Sequence, residues 1–521
     1  MADNTGTQLG KAVAARAIQA NTRNDSGFAL VGSPELAFTS RMALIKAAQK
    51  TLDLQYYAIH ADDTTDRLFE ALREAAGRGV RVRILLDDFN TAGKNAQTLL
   101  LAFEKNIEMR LFNPLPSSRG SSLWRILSSL SDAARLQRRM HNKIFVADNA
   151  VAIIGGRNLG DTYFGQSDGV NFVDIDVLAA GRIAKDLSRS FDQYWNNPLA
   201  YPVQSLMSVK DIEALKPKPI APTTATSPGN PLPPATPAKT DPNALDAPHK
   251  TTVTRVAVDP AGLTTTIAAL PDTTNLRLLT WTWASSVMLV DKPSKIAEDA
   301  DAVEESHDTA VDGLLSLMSQ AKTDLLVVSP YFVPGPQMMK QFADIRQRGV
   351  RVRVLTNSLA SNDAVAAHAG YARYRKALIA MGVEMYEMRS EQRGTVSSFG
   401  TGSGSSGSSA GASRASLHAK AVVVDNRLLV VGSMNLDLRS KLLNSEVAIV
   451  IRNRKLAVEA TALIEPGITT GAYRVELKDG QLVWRAPPGS GLPDTTSEPD
   501  ASMGLKLMVR MIAPFAPDEM L

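Results

Sequence analysis

The sequence predicts an α/β protein made of two pseudo-symmetric halves, each a mixed or parallel sheet flanked by helices. Three observations carry that prediction. The stretch AAGRGVRVRILLD at 75–87 returns as DIRQRGVRVRVLTN at 344–357. The stretch RMHNKIFVADNAVAIIGGRN returns as SLHAKAVVVDNRLLVVGSMN. Apolar strand-like runs alternate with helix-like amphipathic runs throughout, the pattern of a helix-covered parallel or mixed sheet.

The elements follow in order. The polar start at 1–25 reads as an extension and lacks the basic-then-apolar order of a secretory signal. In the first half, at 26–205, KTLDLQYYAI at 50–59 reads as a strand. RLFEALREAAG reads as an amphipathic helix and the Arg-Gly-Val-Arg-Val-Arg run as the next strand. In the second half, at 251–490, KTDLLVVSPYFV at 322–333 and MMKQFADIRQ repeat that order. Between them the Pro/Thr/Ala-rich run at 216–248 reads as a polyproline-like linker within 206–250. A Gly/Ser-rich loop at 400–413 precedes the second motif. An amphipathic tail at 491–521 ends in MGLKLMVRMIAPF, read first as a docked terminal helix and second as a membrane-surface helix.

Composition narrows the chemistry. The 521 residues include no cysteine, which excludes disulfides, zinc thiolates, iron–sulfur clusters and cysteine nucleophiles. Lys plus Arg number 57 against 53 Asp plus Glu, a net +4 too balanced for a protein that wraps nucleic acid over its whole surface. No stretch reaches the roughly 18 uninterrupted apolar residues of a transmembrane helix.

Two of only six histidines sit in matched motifs. His141-x-Lys143-x4-Asp148 leads to Gly156 and Asn158, and His418-x-Lys420-x4-Asp425 leads to Ser433 and Asn435. The Asp-to-Asn interval is 158 − 148 = 10 in one and 435 − 425 = 10 in the other. An acid follows each on a further apolar strand, Asp174 and Glu446. Strand alternation would point each His and its Lys the same way. These residue types suit phosphodiester chemistry. A neutral imidazole can attack phosphorus, a second can pass a proton to the leaving alcohol, and Lys and Asn can hold phosphoryl oxygens. No metal is called for, and no cofactor is expected. A lone His-x-Lys would mean little; two copies with matched Asn residues point to a site.

The paired motifs resemble those of the phospholipase D superfamily, over most of the chain outside the linkers. The stretch 135–165 resembles bacterial cardiolipin synthases, and 356–388, with GASRASLHAK and MNLDLRSKLLNSE, resembles their C subgroup. That resemblance implies two phospholipase D-like domains with one active site at their seam, and transphosphatidylation as the reaction. His141 would form a phosphatidyl-histidine, and His418 would act as general acid and then base. Lys143, Lys420, Asn158 and Asn435 would bind phosphoryl oxygens. Asp174 and Glu446 would orient the imidazoles, Asp148 and Asp425 would complete the motifs as strand-end anchors, and Ser433 would offer phosphate a hydroxyl that Gly156 lacks. Implied partners are phospholipids (phosphatidylglycerol as acceptor, and phosphatidylglycerol or phosphatidylethanolamine as donor), a peripheral contact with the bacterial inner membrane, no nucleic acid, and an accessory protein as an open partner. Hydrolysis of a phospholipid or other phosphodiester, with a nuclease less favoured, is the rival activity, and a non-enzymatic membrane binder is the rival class.

Other residues read more plainly. His368, in a helix, and His60, at a strand end, read as packing or loop residues, with a headgroup contact second for His368. Arg135, Arg138, Arg139 and Lys143, behind Leu123, Trp124, Ile126, Leu127 and Leu130, read as a solvated helix face or a membrane contact.

Overall fold

A helix caps its C-terminus cheaply where glycine can adopt the left-handed conformation, and both copies of the Arg-Gly-Val run do this. Gly79 and Gly349 have φ of +90° and +80°. Each ends a helix and turns the chain into a strand. The structure, a computed structural model, describes residues 5–22, 25–115, 133–216, 255–258, 264–267, 274–276, 279–298, 300–392, 413–513 and 518. The expected linker beyond residue 216, the Gly/Ser-rich loop up to 412, Leu123, Trp124, Ile126, Leu127, Leu130 and His249 lie outside the described residues. Helix α1 (Gln8–Gln19) lies within the N-terminal extension, a short helix Val203–Leu206 closes the first half, and another, Val209–Leu215, occupies the start of the stretch read as linker.

The first half carries strands β1 (Ser26–Val31), β2 (Thr51–Tyr56), β3 (Arg81–Asp87), β4 (Ile107–Phe112), β5 (Ile144–Ala147), β6 (Val151–Gly155), β7 (Val170–Val173) and β8 (Asp176–Ala180). Their spatial order is β4-β3-β2-β5-β6-β8-β1, with β2, β3 and β4 parallel and the rest antiparallel. The second half carries β9 (Thr282–Val290), β10 (Asp324–Val328), β11 (Arg351–Asn357), β12 (Glu384–Met388), β13 (Ser413–Leu417), β14 (Ala421–Val424), β15 (Leu428–Gly432) and β16 (Val447–Arg452). Its order, β12-β11-β10-β14-β15-β16-β9, repeats the first in both sequence and direction. The duplication seen in the sequence is therefore a duplication of topology.

Helices α2 (Pro34–Ala47), α3 (Asp63–Gly77) and α4 (Arg182–Trp195) belong to the first half. Helices α5 (Ala310–Met318), α6 (Gly335–Gln347), α7 (Val365–Ala380) and α8 (Arg454–Thr469) belong to the second, and α9 (Met503–Ile512) lies in the tail. Helix α3 shows why they form. Asp62 caps it by accepting the Thr65 amide, and Leu68, Phe69, Leu72, Ala75 and Ala76 fall at helical spacing and are buried.

The central strands have two buried faces. On β5, Phe145 and Ala147 join the first half's outer core, whereas Ile144 and Val146 join a core shared with Val423, Leu429, Val431 and Ile449 of the other half. On β14, Val422 and Val424 turn outward and Ala421 and Val423 join the shared core. Edge pairing adds to this: β1 runs antiparallel to β9, and β7 runs parallel to β13. The halves are thus fused by apolar burial and main-chain hydrogen bonds, which fixes whatever lies at the seam.

The motif aspartates sit at the far ends of β5 and β14. Asp148 and Asn149 have φ of 52° and 50°, and Asp425 and Asn426 have 53° and 49°, so each pair forms the tight left-handed turn that joins two hairpin strands. Asp148 accepts the backbone amides of Gln49, Lys50 and Thr51, and Asp425 those of Lys322, Thr323 and Asp324. Charged acceptors of this kind contribute roughly 1.5–3 kcal/mol per bond. Asp148→Ala is expected to cost about 3 kcal/mol in urea unfolding, because it leaves buried amides unpaired and puts Ala at positive φ. An unchanged unfolding midpoint would refute this anchoring role.

Candidate active site

The expectation that each His-x-Lys lies on its strand is corrected here. His141 and Lys143 precede β5, and His418 and Lys420 precede β14, in extended chain that enters the sheet. What holds these approaches is the other half. The His141 amide donates to Ser445 O at 2.9 Å and the Ser445 amide to Arg139 O at 3.0 Å. The His418 and Ala419 amides both donate to Val173 O, at 2.8 and 3.0 Å. Asp174 and Glu446 likewise stand just before β8 and β16 rather than on them.

This exchange of main chain crosses the carboxylates. His141 Nδ1 lies 3.0 Å from both Glu446 oxygens, across 305 residues of sequence. His418 Nδ1 lies 2.7 Å from Asp174 Oδ2, across 244 residues. Each imidazole is therefore oriented by an acid of the opposite half. With Nδ1 committed to a carboxylate, Nε2 is the nitrogen left for a substrate.

The two pairs differ in charge. Burial, reinforced by Lys143 and Lys420, holds His141 well below its ordinary range. Burial and Lys420 hold His418 down to about 4, against the upward pull of Asp174. Asp174 is pushed up by burial, but the hydrogen bond to His418 and the charges of His418 and Arg157 outweigh this and leave it low. Glu446 is pushed up to about 7 by burial, against Lys143, Ser433 and Ser440. His418 thus faces a firmly ionised partner and His141 a carboxyl that shares its proton.

Lys143 Nζ donates to His141 O at 2.7 Å, and Lys420 Nζ to His418 O at 2.6 Å, so each ammonium folds back beside its own histidine. Burial lowers both lysines from their ordinary range. Asn158 Nδ2 donates to the Tyr163 hydroxyl and Asn158 Oδ1 accepts the Ala58 amide. Asn435 Oδ1 is buried without a partner. Ser433 does not hold its hydroxyl out for phosphate. It donates to Glu446 Oε2 at 2.5 Å while accepting the Val447 amide, and Ser440 donates to Glu446 Oε1 at 2.9 Å.

The Gly156 position explains itself in the same terms. A Cβ there would lie 2.5 Å from Asp174 Oδ2, so no side chain fits without displacing the acid that orients His418. The longer Glu446 leaves room for Ser433, whereas Asp174 needs glycine opposite. Gly156→Ser is expected to lower turnover by about 100-fold with little change in the unfolding midpoint, and Gly156→Ala to do nearly as much.

Sequence reasoning missed the aromatic wall. Tyr57 meets His141 edge-on with ring centres 5.1 Å apart, and Tyr163 and Phe172 pack on His418 at 5.2 and 4.9 Å. Tyr331 donates to Asp363 at 2.7 Å close by, and the Asp363 charge acts on both Lys420 and Tyr163. Tyrosines in QYYAI and SPYFV, at the ends of equivalent strands, were the available signal. The basic run is corrected too. Arg139 is fully buried, 3.3 Å from Asp87, and donates to Asn113 O and Arg135 O, bracing the chain that delivers His141. His368 is buried, 3.4 Å from Glu498, with Arg375 donating to the same carboxylate oxygen. His60 stacks behind Tyr163 with ring centres 6.1 Å apart.

The family profile described as a cardiolipin synthase, PLD-like domain, matches residues 42–195 and 314–465, one copy over each histidine. The chain belongs to that cardiolipin synthase family. It is 35% identical to cardiolipin synthase C of Escherichia coli (strain K12) over 91% of its own length and 92% of that protein. Similarity to the cardiolipin synthase of Geobacillus kaustophilus is 23% over 80% of this chain and 61% of that one. In fold it is similar to the crystal structure of a phosphatidylserine synthase from Haemophilus influenzae, with a TM-score of 0.54 at 13% identity, covering 88% of this chain and 91% of that one. The cardiolipin synthase family's duplicated domain is thus the architecture derived above, an α/β enzyme fold with a repeated sheet.

Proposed function

We propose that this member of the cardiolipin synthase family is a phosphatidyltransferase that makes cardiolipin by transphosphatidylation. The crossed pairing of two buried imidazoles with two acids from opposite halves carries the reading. Neutral His141, its Nδ1–H held by Glu446, attacks the donor phosphorus through Nε2. The P–N bond forms as the P–O bond to the headgroup breaks, and His418, as imidazolium, gives its proton to the departing oxygen. His418 then takes the proton of a glycerol hydroxyl on phosphatidylglycerol. That oxygen attacks phosphorus, the P–N bond breaks, and His141 is restored. Asp174, ionised beside His418, stabilises the imidazolium this cycle requires.

The lysines fit the same reading. Two ammonium groups buried together repel one another and are poorly solvated, so a phosphodiester anion entering between them relieves both costs. In this reading Lys143, Lys420, Asn158 and Asn435 hold its oxygens, and Asn435, whose Oδ1 is buried without a partner, is the freer of the two asparagines. The substrates are phospholipids reached by peripheral contact with a bacterial inner membrane, phosphatidylglycerol being the acceptor and phosphatidylglycerol or phosphatidylethanolamine the donor. Among the described residues no helix is long and apolar enough to cross a membrane. The reading is tested with radiolabelled phosphatidylglycerol, with and without phosphatidylethanolamine, resolved by thin-layer chromatography. Labelled cardiolipin is expected. Phosphatidic acid alone would make the protein a hydrolase, and no turnover of any phosphodiester would make it a binder.

A further inference from the structure

Helix α9 has its charge and its apolar surface on the wrong sides for a helix that merely closes a core. Ser502 caps it by accepting the Leu505 amide, and it packs along α7. Leu505, Val509 and Ile512 are half-buried on the packed side. Met503, Leu507 and Met511, at i, i+4 and i+8, stand 80, 58 and 59% exposed, with Met508 beside them at 44%. Four large apolar side chains on one short helix are more than scattered surface residues account for. The helix's only charged residues, Lys506 and Arg510, are both cations.

The helix is also held in place. Ahead of it, Glu498 is gripped by Arg375 at 2.7 Å and lies 3.4 Å from His368, and beyond it Asp518 pairs with Arg373 and Tyr374. All four partners belong to α7, and α7 starts two residues after Asp363, whose charge acts on Lys420 in the active site. The exposed ridge is therefore tied to the element that leads into the catalytic mouth.

We propose that the outer face of α9 seats this protein in the interface of an anionic phospholipid bilayer, with Met503, Leu507, Met508 and Met511 among the acyl chains and Lys506 and Arg510 at the headgroups. This rests on the reading that the substrate is a phospholipid. Unbranched methionine side chains adapt to a fluid phase, and long cationic side chains reach back to the phosphate level. Anionic lipid complements the helix's charge, as it would not complement an acid-bearing partner face.

The experiment is flotation of the full chain with vesicles of phosphatidylglycerol and phosphatidylcholine, set beside transfer measured on water-soluble dihexanoyl phosphatidylglycerol. The double variant L507E/M511E is expected to lose vesicle partitioning by about tenfold or more while its transfer on the soluble lipid stays within about twofold. Lys506→Glu with Arg510→Glu should abolish the preference for phosphatidylglycerol over pure phosphatidylcholine vesicles, and it stands as the test if the first variant fails to fold. Undiminished partitioning of a folded L507E/M511E overturns the proposal. So does a wild-type dimer by sedimentation that the variant converts to monomer with partitioning intact, since a second copy then covers the ridge. If wild type transfers nothing on the soluble lipid but L507E/M511E still loses flotation, the docking stands and the proposed reaction falls.

Discussion

His141→Ala is expected to lower phosphatidyl transfer by about 10⁵-fold or more, because it removes the proposed nucleophile. His418→Ala should behave differently. It keeps the nucleophile and loses the proton donor and acceptor, a loss of roughly 10²–10⁴. Incubated briefly with labelled phosphatidylglycerol and quenched in mild base, the His418 variant should carry covalent lipid, since breakdown of the adduct also needs His418. His141→Ala should carry none. The charge distribution is the reason for assigning the roles this way round. His418 sits 2.7 Å from an acid held low, whose charge steadies the imidazolium of the cycle against the burial that otherwise keeps this ring neutral, whereas the acid beside His141 is itself pushed up to about 7. Burial and two lysines hold His141 well below its ordinary range, so adduct formation should persist into acid beyond the point where an ordinary imidazole takes up its proton. Label on the His141 variant and none on the His418 variant would reverse the assignment.

Much of this was legible in the sequence because it is local. The helix–Gly–strand repeats predict α3 with β3 and α6 with β11, and the structure places those elements as read, since amphipathic spacing and a left-handed glycine are short-range signals. The matched intervals after His141 and His418 pointed to the candidate site for the same reason. What the sequence could not give is long-range. No pattern says that Glu446 belongs to His141 or Asp174 to His418, because that choice is made by how two sheets stack. Nor could a run of arginines reveal that Arg139 is buried on Asp87 while its neighbours are not. Ser433 reads as a phosphate contact from its place in the motif, and nothing in the sequence shows that Glu446, 13 residues on in the same half, takes its hydroxyl. Asp148 and Asp425 look catalytic by position in a motif, but a strand of four residues carries each away from its histidine to the opposite end of the sheet.

The crossing itself makes the sharpest prediction, because it assigns each acid a phenotype opposite to the one its own half suggests. Asp174→Asn lies in the half of His141 but should copy the loss of His418, slowing turnover by about 10⁴-fold while covalent lipid accumulates. Glu446→Gln lies in the half of His418 but should slow the step that belongs to His141, so that no adduct accumulates. Its effect on activity should be smaller, about 10²-fold, since Gln can still accept the Nδ1–H and Glu446 already shares its proton near neutrality. Stability separates the two further. Glu446 is raised in the folded state from an ordinary value of 4.5 to about 7, so the folded protein binds a proton that the unfolded chain has released. That contribution is complete below about pH 4.5 and is lost as pH rises through about 7, and Glu446→Gln should flatten the decline of Tm over this window. Asp174 is lowered instead, so its contribution is present above its ordinary value of 3.8 and is lost on acidification, and Asp174→Asn should leave Tm lower at neutral pH. If the adduct instead builds up on Glu446→Gln and is absent from Asp174→Asn, then each acid serves the histidine of its own half during catalysis, and the mechanism drawn on this geometry is wrong.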